Sequence, residues 1–408
     1  MFFKATKSFA IFFLLLVNPL FTNGISADEQ QVLEPASPWF SFQNNLALPD
    51  WMQFNLQTQA EPMLNPSGGA KQTNNWIQQT VASFSLGTGL AKETTKWQEI
   101  DHWRLDTIIN FYNGNPNFNV QIGANAPLQQ VAHENGFWLA QATLSRTSGN
   151  GWLGIKGGIL SLNPDFIYSP IFDYYIHSSL NNTLNISISD LPVNPLAAVG
   201  GVIEIKPKNS LSIRYGLFDL ASTKPISQLL GVTPKEDVSG LGLAQMLQLS
   251  YSPGWLAKEK QGSLLPKGLL QLGGYTTSNG NDGSGINGSL SFSTGLPLGI
   301  DHRFWIGSNY SFNSSNDNTP TFVSAGFISQ GLISSRPFDV FIVGLGKAGF
   351  ASSLAPSKSY EGVIELGYQF QINPTLNLQP GVQWIINPGG AGNIPGIFAT
   401  TFQITLNL

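Results

Sequence analysis

The chain contains no cysteine in its 408 residues. Disulfide staples, a thiolate nucleophile and thiolate metal sites are thereby excluded, and stability has to come from packing and backbone pairing. Charge is almost as scarce. Only 11% of residues are Asp, Glu, Lys or Arg, less than half of the roughly 25% in ordinary soluble domains, too few to coat a large water-exposed surface. The 20 basic residues are outnumbered by 24 acidic ones, a formal charge of −4, which excludes the basic footprint that nucleic-acid binding requires. Four histidines are present. Of these, His102 and His133 stand in neither an HExxH nor another metal-ligand spacing, no G-x-S-x-G occurs, and Gly285 and Gly288 lack the strand-then-helix setting of a phosphate loop. An enzyme is not expected, and neither is a cofactor or a metal.

Long hydrophobic runs are missing too, apart from the N-terminus. Residues 1–27 read as a cleaved secretory signal: Lys4 and Lys7 are the positive region, Phe9 to Val17 the apolar core, and Ile25-Ser26-Ala27 a small-residue cleavage site. The apolar run falls short of the ~20 residues of a spanning helix. Cleavage takes two lysines from the basic residues and no acid, moving the formal charge from −4 to −6. Residues 28–50 are expected as a short periplasmic segment and 51–408 as the main domain. Mean hydropathy is nevertheless +0.00, although Asn, Gln, Ser and Thr are abundant. Strands that are apolar on one face and polar on the other reconcile the two facts.

The alternation is visible along the chain. In Ile397 to Leu408, Phe398, Phe402, Ile404, Leu406 and Leu408 share one parity, while Thr401, Gln403, Thr405 and Asn407 share the other. Leu378, Val382, Trp384 and Ile386 oppose Gln379, Gly381 and Gln383; Met52, Phe54, Leu56 and Ala60 oppose Gln53, Asn55, Gln57 and Gln59; Ile213, Tyr215 and Leu217 oppose Ser212, Arg214 and Gly216. Period two, broken by Gly, Pro, Asn and Asp clusters, predicts strands near 51–61, 76–86, 99–112, 136–146, 151–160, 197–206, 210–219, 242–252, 268–277, 286–295, 302–312, 322–332, 340–350, 360–371, 376–386 and 397–408. Strands can cross hydrocarbon only as a closed barrel, because an open edge leaves a row of backbone groups unpaired. The expected fold is therefore an all-β transmembrane antiparallel β-barrel of about 16 strands, wide enough for an aqueous channel. Pro380 lies inside one of these strands and deletes one ladder bond.

Connection lengths alternate as well. Brief ones such as PKN (207–209) and INPT (372–375) belong to the end expected in the periplasm, and 113–135, 161–196, 220–241 and 387–396 to the outer end. Ser161 to Leu196 is too long to be a passive connector. It is expected to fold into the pore.

Sending the more apolar parity to lipid places the charged residues inside. His102, Arg104, Asp106, Lys156, Glu204, Arg214, Arg303, Trp305 and Glu365 become pore-lining candidates, since an outward Arg or Lys at the midplane costs ~2 to 4 kcal/mol. Two readings stay open for them. They form a sugar path, with guanidinium and carboxylate groups bonding vicinal hydroxyls and aromatic faces stacking on a pyranose, or they pair across strands and stiffen the wall. Mixed signs of low net charge suit neutral polyols better than ions.

The segment "YEGVIELGYQFQINPTLNLQPGVQWIINPGG" (360–390) resembles the C-terminal hallmark of the carbohydrate-selective porins of the OprB family. "AEPMLNPSGG" (60–69), "GWLGIKGGILSLNPDF" (151–166), "YGLFDL" (215–220) and "GLISSRPFD" (331–339) are similar to further family segments in the same order. The resemblance implies a sixteen-stranded outer-membrane channel of a Gram-negative-type bacterium, narrowed by inward loops and lined centrally by Arg and Glu; Arg104, Arg214 and Glu365 match best in type. Arg336 and Asp339 are also typical of the family, and the topology makes them a structural clamp in a turn. The chain departs from the pattern in ending with Leu408 where outer-membrane proteins favour an aromatic, and residues 28–50 are too few for the wall-binding domain that some members carry. The implied function is passive, gradient-driven diffusion of glucose and related monosaccharides into the periplasm. Carbohydrates, outer-membrane lipid and the barrel-assembly machinery are the expected partners, and a monomer and a trimer both remain open. The alternatives are a general non-selective porin and a secreted soluble β-rich glycan-binding protein.

Overall fold

Each period-two segment becomes a strand, and each strand finds its sequence neighbours. The computed structural model describes residues 48–49, 51–87, 102–184, 191–231, 242–258, 260–278, 283–312, 319–353 and 356–408. The signal expected over 1–27 and nearly all of the segment expected over 28–50 lie outside them. Among the described residues the strands are β1 (Met52–Ala60), β2 (Met63–Ser67), β3 (Thr73–Asn75), β4 (Ile77–Gly87), β5 (His102–Gly114), β6 (Gly136–Thr147), β7 (Leu153–Leu160), β8 (Ala198–Lys208) and β9 (Leu211–Asp219). They continue with β10 (Leu243–Tyr251), β11 (Leu269–Thr277), β12 (Ser284–Phe292), β13 (Asp301–Ser311), β14 (Thr321–Gln330), β15 (Val340–Gly349), β16 (Tyr360–Gln371), β17 (Leu376–Ile386) and β18 (Ile397–Asn407).

All pairs are antiparallel, and β4 to β18 follow one another around the sheet until β18 meets β1, which in turn pairs with β4. The ring closes on sixteen strands, as the sequence predicts. The two short extra strands do not widen it. Register runs from Ala60↔Ile404 to Met63↔Thr401 without a slip, with Phe402 N–H donating to the Pro62 carbonyl, so β2 prolongs β1 past a proline that cannot donate. On the other side β3 prolongs β4 and pairs with β2.

Parity decides which face meets lipid. Trp384 is 53% exposed and its neighbour Gln383 is 0% exposed; Phe398 and Phe402 are exposed where Ala399, Thr401 and Gln403 are buried. Exposed aromatics gather at the barrel's two rims, Trp51, Trp103, Trp152 and Trp255 at the end holding Leu408 and Trp76, Phe137, Tyr310 and Phe312 at the other. Such girdles mark the two membrane interfaces. Among the described residues no helix is long and apolar enough to cross a membrane, so the crossing is made by strands. Pro380 keeps its pairing with β18 at Phe402, whereas the β16–β17 ladder lapses between Gly367↔Gly381 and Phe370↔Leu378. The missing N–H therefore points toward β16.

The apolar core lies inside the ring. It is built by residues 161–184, 191–197 and 115–135, which fold inward against the wall from the rim opposite Leu408. These segments carry helices α1 (Phe118–Ile122) and α2 (Ser178–Asn181) and a 3-10 turn, Pro170–Tyr174; α3 (Thr223–Gln228) follows β9.

Candidate channel and its inward loops

The 161–197 connection crosses the lumen by successive side-chain attachments. It leaves β7 along β9, where Lys156 Nζ donates to both Asp165 carboxylate oxygens at 2.7 and 2.9 Å, Arg214 Nη1 donates to the Asp165 carbonyl at 3.0 Å, and Phe166 meets Phe218 edge-on. Gln271 of β11 then donates to the Tyr168 carbonyl, and Gln379 of β17 to the Tyr174 carbonyl, both at 2.8 Å. Between these anchors the turn buries Ile171 and Phe172, with Phe172 edge-on to Trp305 at 5.1 Å. Trp305 Nε1 donates to Tyr175 Oη at 2.8 Å, and that hydroxyl donates onward to the Val343 carbonyl at 2.9 Å. Small residues on the wall make the approach possible: a Cβ on Gly326 would lie 2.5 Å from Tyr175 Oη, and one on Gly344 2.6 Å from Tyr175 Cε1.

Carboxylates of the wall hold both inward loops by their backbones. Glu365 accepts the N–H groups of Ile176 and His177 at 2.8 and 2.9 Å. Four residues earlier on the same strand and face, Glu361 accepts those of Asn125 and Ala126 at 2.7 and 3.1 Å, and that of Gly389 at 2.7 Å. Glu61 is buried under the 115–135 loop and accepts from Gln403 Nε2 at 2.8 Å. Gln383 Nε2 donates to the Leu128 carbonyl at 3.0 Å. A carboxylate taken out of water is tolerated when its lone pairs meet donors, and here the donors are the loop N–H groups that no strand could satisfy. In the 161–197 loop, His177 Nδ1 accepts from Ser179 N–H, and burial pushes the imidazole down to about 3, so the ring is neutral.

The expected pore-lining residues divide into two groups. Arg104, Asp106, Lys156, Glu204 and Arg214 face the open lumen side, and His102 is half-buried at the start of β5. Arg104 Nε donates to Asp106 at 2.6 Å, and Ser85 Oγ to the same carboxylate at 2.5 Å. Glu204 accepts from Arg214 Nε and Ser212 Oγ, each at 2.7 Å, and Lys206 Nζ stands 3.3 Å away. Arg303, Trp305 and Glu365 point inward but do not border the channel, contrary to expectation, being 0%, 1% and 1% exposed. Arg303 is covered by the 252–268 connection, donating to the Pro266 carbonyl and pairing with Asp301 at 2.8 Å. Trp305 and Glu365 are covered by the 161–197 loop. Inward parity shows which face a residue is on, not whether a loop lies over it.

Arg336 and Asp339 form a two-bond pair of 2.7 and 3.0 Å in the β14–β15 connection; Asp339 also accepts Gln371 N–H, and Arg336 Nη2 donates to the Gln371 carbonyl. The pair ties two neighbouring turns together. Parity counting could not find the lumen face of the 161–197 loop, where Asp173 is exposed and Tyr168 and Tyr174 are half-buried; Tyr168 Oη donates to Asp173 Oδ2 at 2.5 Å. Their signal is the aromatic density of YSPIFDYY (168–175) in a connector.

A closed barrel, apolar outside and polar within, with chain folded across its lumen, belongs to the porin class of membrane channels. The sequence profile of the carbohydrate-selective porin, OprB family, matches residues 101–408, and the chain belongs to that family of outer-membrane channels, which are not enzymes. The high-pH structure of Pseudomonas putida OprB is similar at a TM-score of 0.75 and 16% identity over 90% of this chain and 96% of that one. Its low-pH structure gives 0.57 and 13% over 91% and 99%. A mutant porin of Rhodopseudomonas blastica gives 0.50 and 8% over 88% and 100%. No curated protein sequence matches the chain.

Proposed function

We propose that the chain is a passive channel for glucose and related monosaccharides, moving down their gradient into the periplasm, with the end holding Leu408 on the periplasmic side. The observation that carries this reading is the inward loop fastened across the lumen together with the paired charges on β5 and on β7 to β9, where the loop begins. Arg104 with Asp106, Lys156 with Asp165, and Arg214 with Glu204 present fixed donors and acceptors to the channel while cancelling one another's fields. A solute rich in hydroxyls can exchange water for these groups, whereas a bare ion gains little from a paired wall. Arg104, its side chain 49% exposed, is the wall residue best placed to touch solute; His102, Asp106, Lys156, Glu204 and Arg214 complete the path. Export by a cleaved signal and assembly by the barrel machinery follow from this reading, which is compatible with a monomer or a trimer.

Proteoliposomes containing the purified protein test it. Glucose should enter faster than an amino acid of equal size, and glucose should reduce the conductance of a planar bilayer. Equal entry rates with no such block would make the protein a non-selective porin.

A further inference from the structure

Within the segment that bridges the lumen, one acidic residue is turned the opposite way from its neighbours. Ile171 and Phe172 are buried against the wall, Tyr175 and Ile176 are buried beside Trp305 and Glu365, and Asp173 between them is exposed. Its direction is fixed on both sides. Gln271 holds the carbonyl of Tyr168 and Gln379 that of Tyr174, from strands six apart in the ring of sixteen. With its apolar side chains packed on β13 to β15, the segment has its remaining face toward the open lumen.

The carboxylate there is also held. Tyr168 Oη donates to Oδ2 at 2.5 Å, which leaves Oδ1 and the phenol lone pairs as acceptors for a solute. Tyr174 is half-buried against the apolar core. Among the described residues no Lys or Arg forms an ion pair with Asp173, whereas Arg104, Lys156, Arg214 and Arg303 each have a carboxylate partner. Asp173 is thus a loop carboxylate whose charge no Lys or Arg among the described residues cancels.

We propose that Asp173, oriented by Tyr168, is a specificity-determining contact of the channel that accepts hydrogen bonds from neutral sugars and repels anionic ones such as uronates. The proposal rests on the sugar-channel reading above. A neutral hexose brings hydroxyl donors to the carboxylate at no electrostatic cost. A hexuronate of nearly the same size and shape brings a second negative charge to the same place, and the two repel by a factor of about five for unit charges some 4 Å apart in water.

The experiment compares uptake of radiolabelled glucose and glucuronate into proteoliposomes at pH 8.5, above the value of about 7 to which enclosure in the barrel pushes the Asp173 carboxyl. The expected result is that Asp173→Asn lowers the glucose-to-glucuronate ratio about fivefold, and that Asp173→Glu keeps the wild-type ratio. An unchanged ratio in Asp173→Asn overturns the proposal, including the case in which both rates rise together because the loop has moved. A ratio that Asp173→Glu shifts as far as Asp173→Asn does overturns it as well. The sugar-channel reading fails separately, if wild-type protein passes glucose no faster than an amino acid of equal size; the ratio in Asp173→Asn decides the charge contact in either case.

Discussion

The Glu365 carboxylate of β16 accepts the backbone N–H of His177 at 2.9 Å and that of the adjoining Ile176 at 2.8 Å. One side chain of the wall thereby fixes the middle of a loop that departs from the far side of the barrel. Hydrogen bonds to a charged acceptor are worth about 1.5 to 3 kcal/mol each, enough to decide between a docked and a released loop.

Replacing Glu365 by Gln keeps the volume but leaves one acceptor oxygen, and sets an amide N–H₂ against a backbone donor. Docking should weaken by about 2 kcal/mol, raising the released population roughly thirtyfold. Single-channel recordings are expected to show larger and noisier conductance, while heat-modified mobility on gels stays that of a folded barrel. Wild-type recordings would mean that the loop is held elsewhere.

The Tyr175 hydroxyl receives the Trp305 indole N–H and gives its own proton to the Val343 carbonyl. Tyr175→Phe removes both bonds but keeps the ring between Gly326 and Gly344, so it isolates the polar contribution. Stranding a buried donor and acceptor costs about 1 to 3 kcal/mol apiece. Limited proteolysis should cut Tyr175→Phe within 161–184 faster than wild type; equal rates would place the holding energy in the apolar contacts.

His177 titrates near 6.5 when released and near 3 when docked, because burial disfavours the imidazolium. Between these values the released loop binds a proton that the docked loop does not. The contribution of a neutral His177 to docking is therefore fully present above pH 6.5 and weakens by about 1.4 kcal/mol per pH unit as pH falls toward 3. His177→Asn can still accept from Ser179 N–H and should remove this slope. Loop proteolysis by an acid-active protease across pH 6.5 to 4, compared between the two proteins, checks it, and parallel pH profiles would refute the neutral buried ring.

Leu366 is exposed on the lipid side at the middle of β16, paired with Val343 and Val382. Leu366→Arg should cost about 2 to 4 kcal/mol in a bilayer and lower the folded fraction recovered in phospholipid vesicles. Undiminished recovery would mean that this face meets water, and the assignment of inside and outside would have to be reversed.

The alternation of side chains was sufficient by itself to determine sixteen crossings and the inward parity of the charged candidates, because strand geometry repeats every two residues and needs only neighbours in the chain. Pro380 interrupts one ladder over two residue pairs, and a bulge in β6 moves the inward parity from Trp138 and Ala140 to Gln141 and Thr143. Tertiary structure alone decided which inward residues meet the channel. Glu365 and Ile176 are 189 positions apart, and Trp305 and Tyr175 are 130; no local period encodes which wall residue a returning loop will cover. Arg104 and Arg303 are equivalent by parity, yet one is half exposed and the other has no exposed surface. The difference lies in loop docking, where buried carboxylates meet backbone donors across the lumen, and that same docking leaves Asp173 facing the open channel.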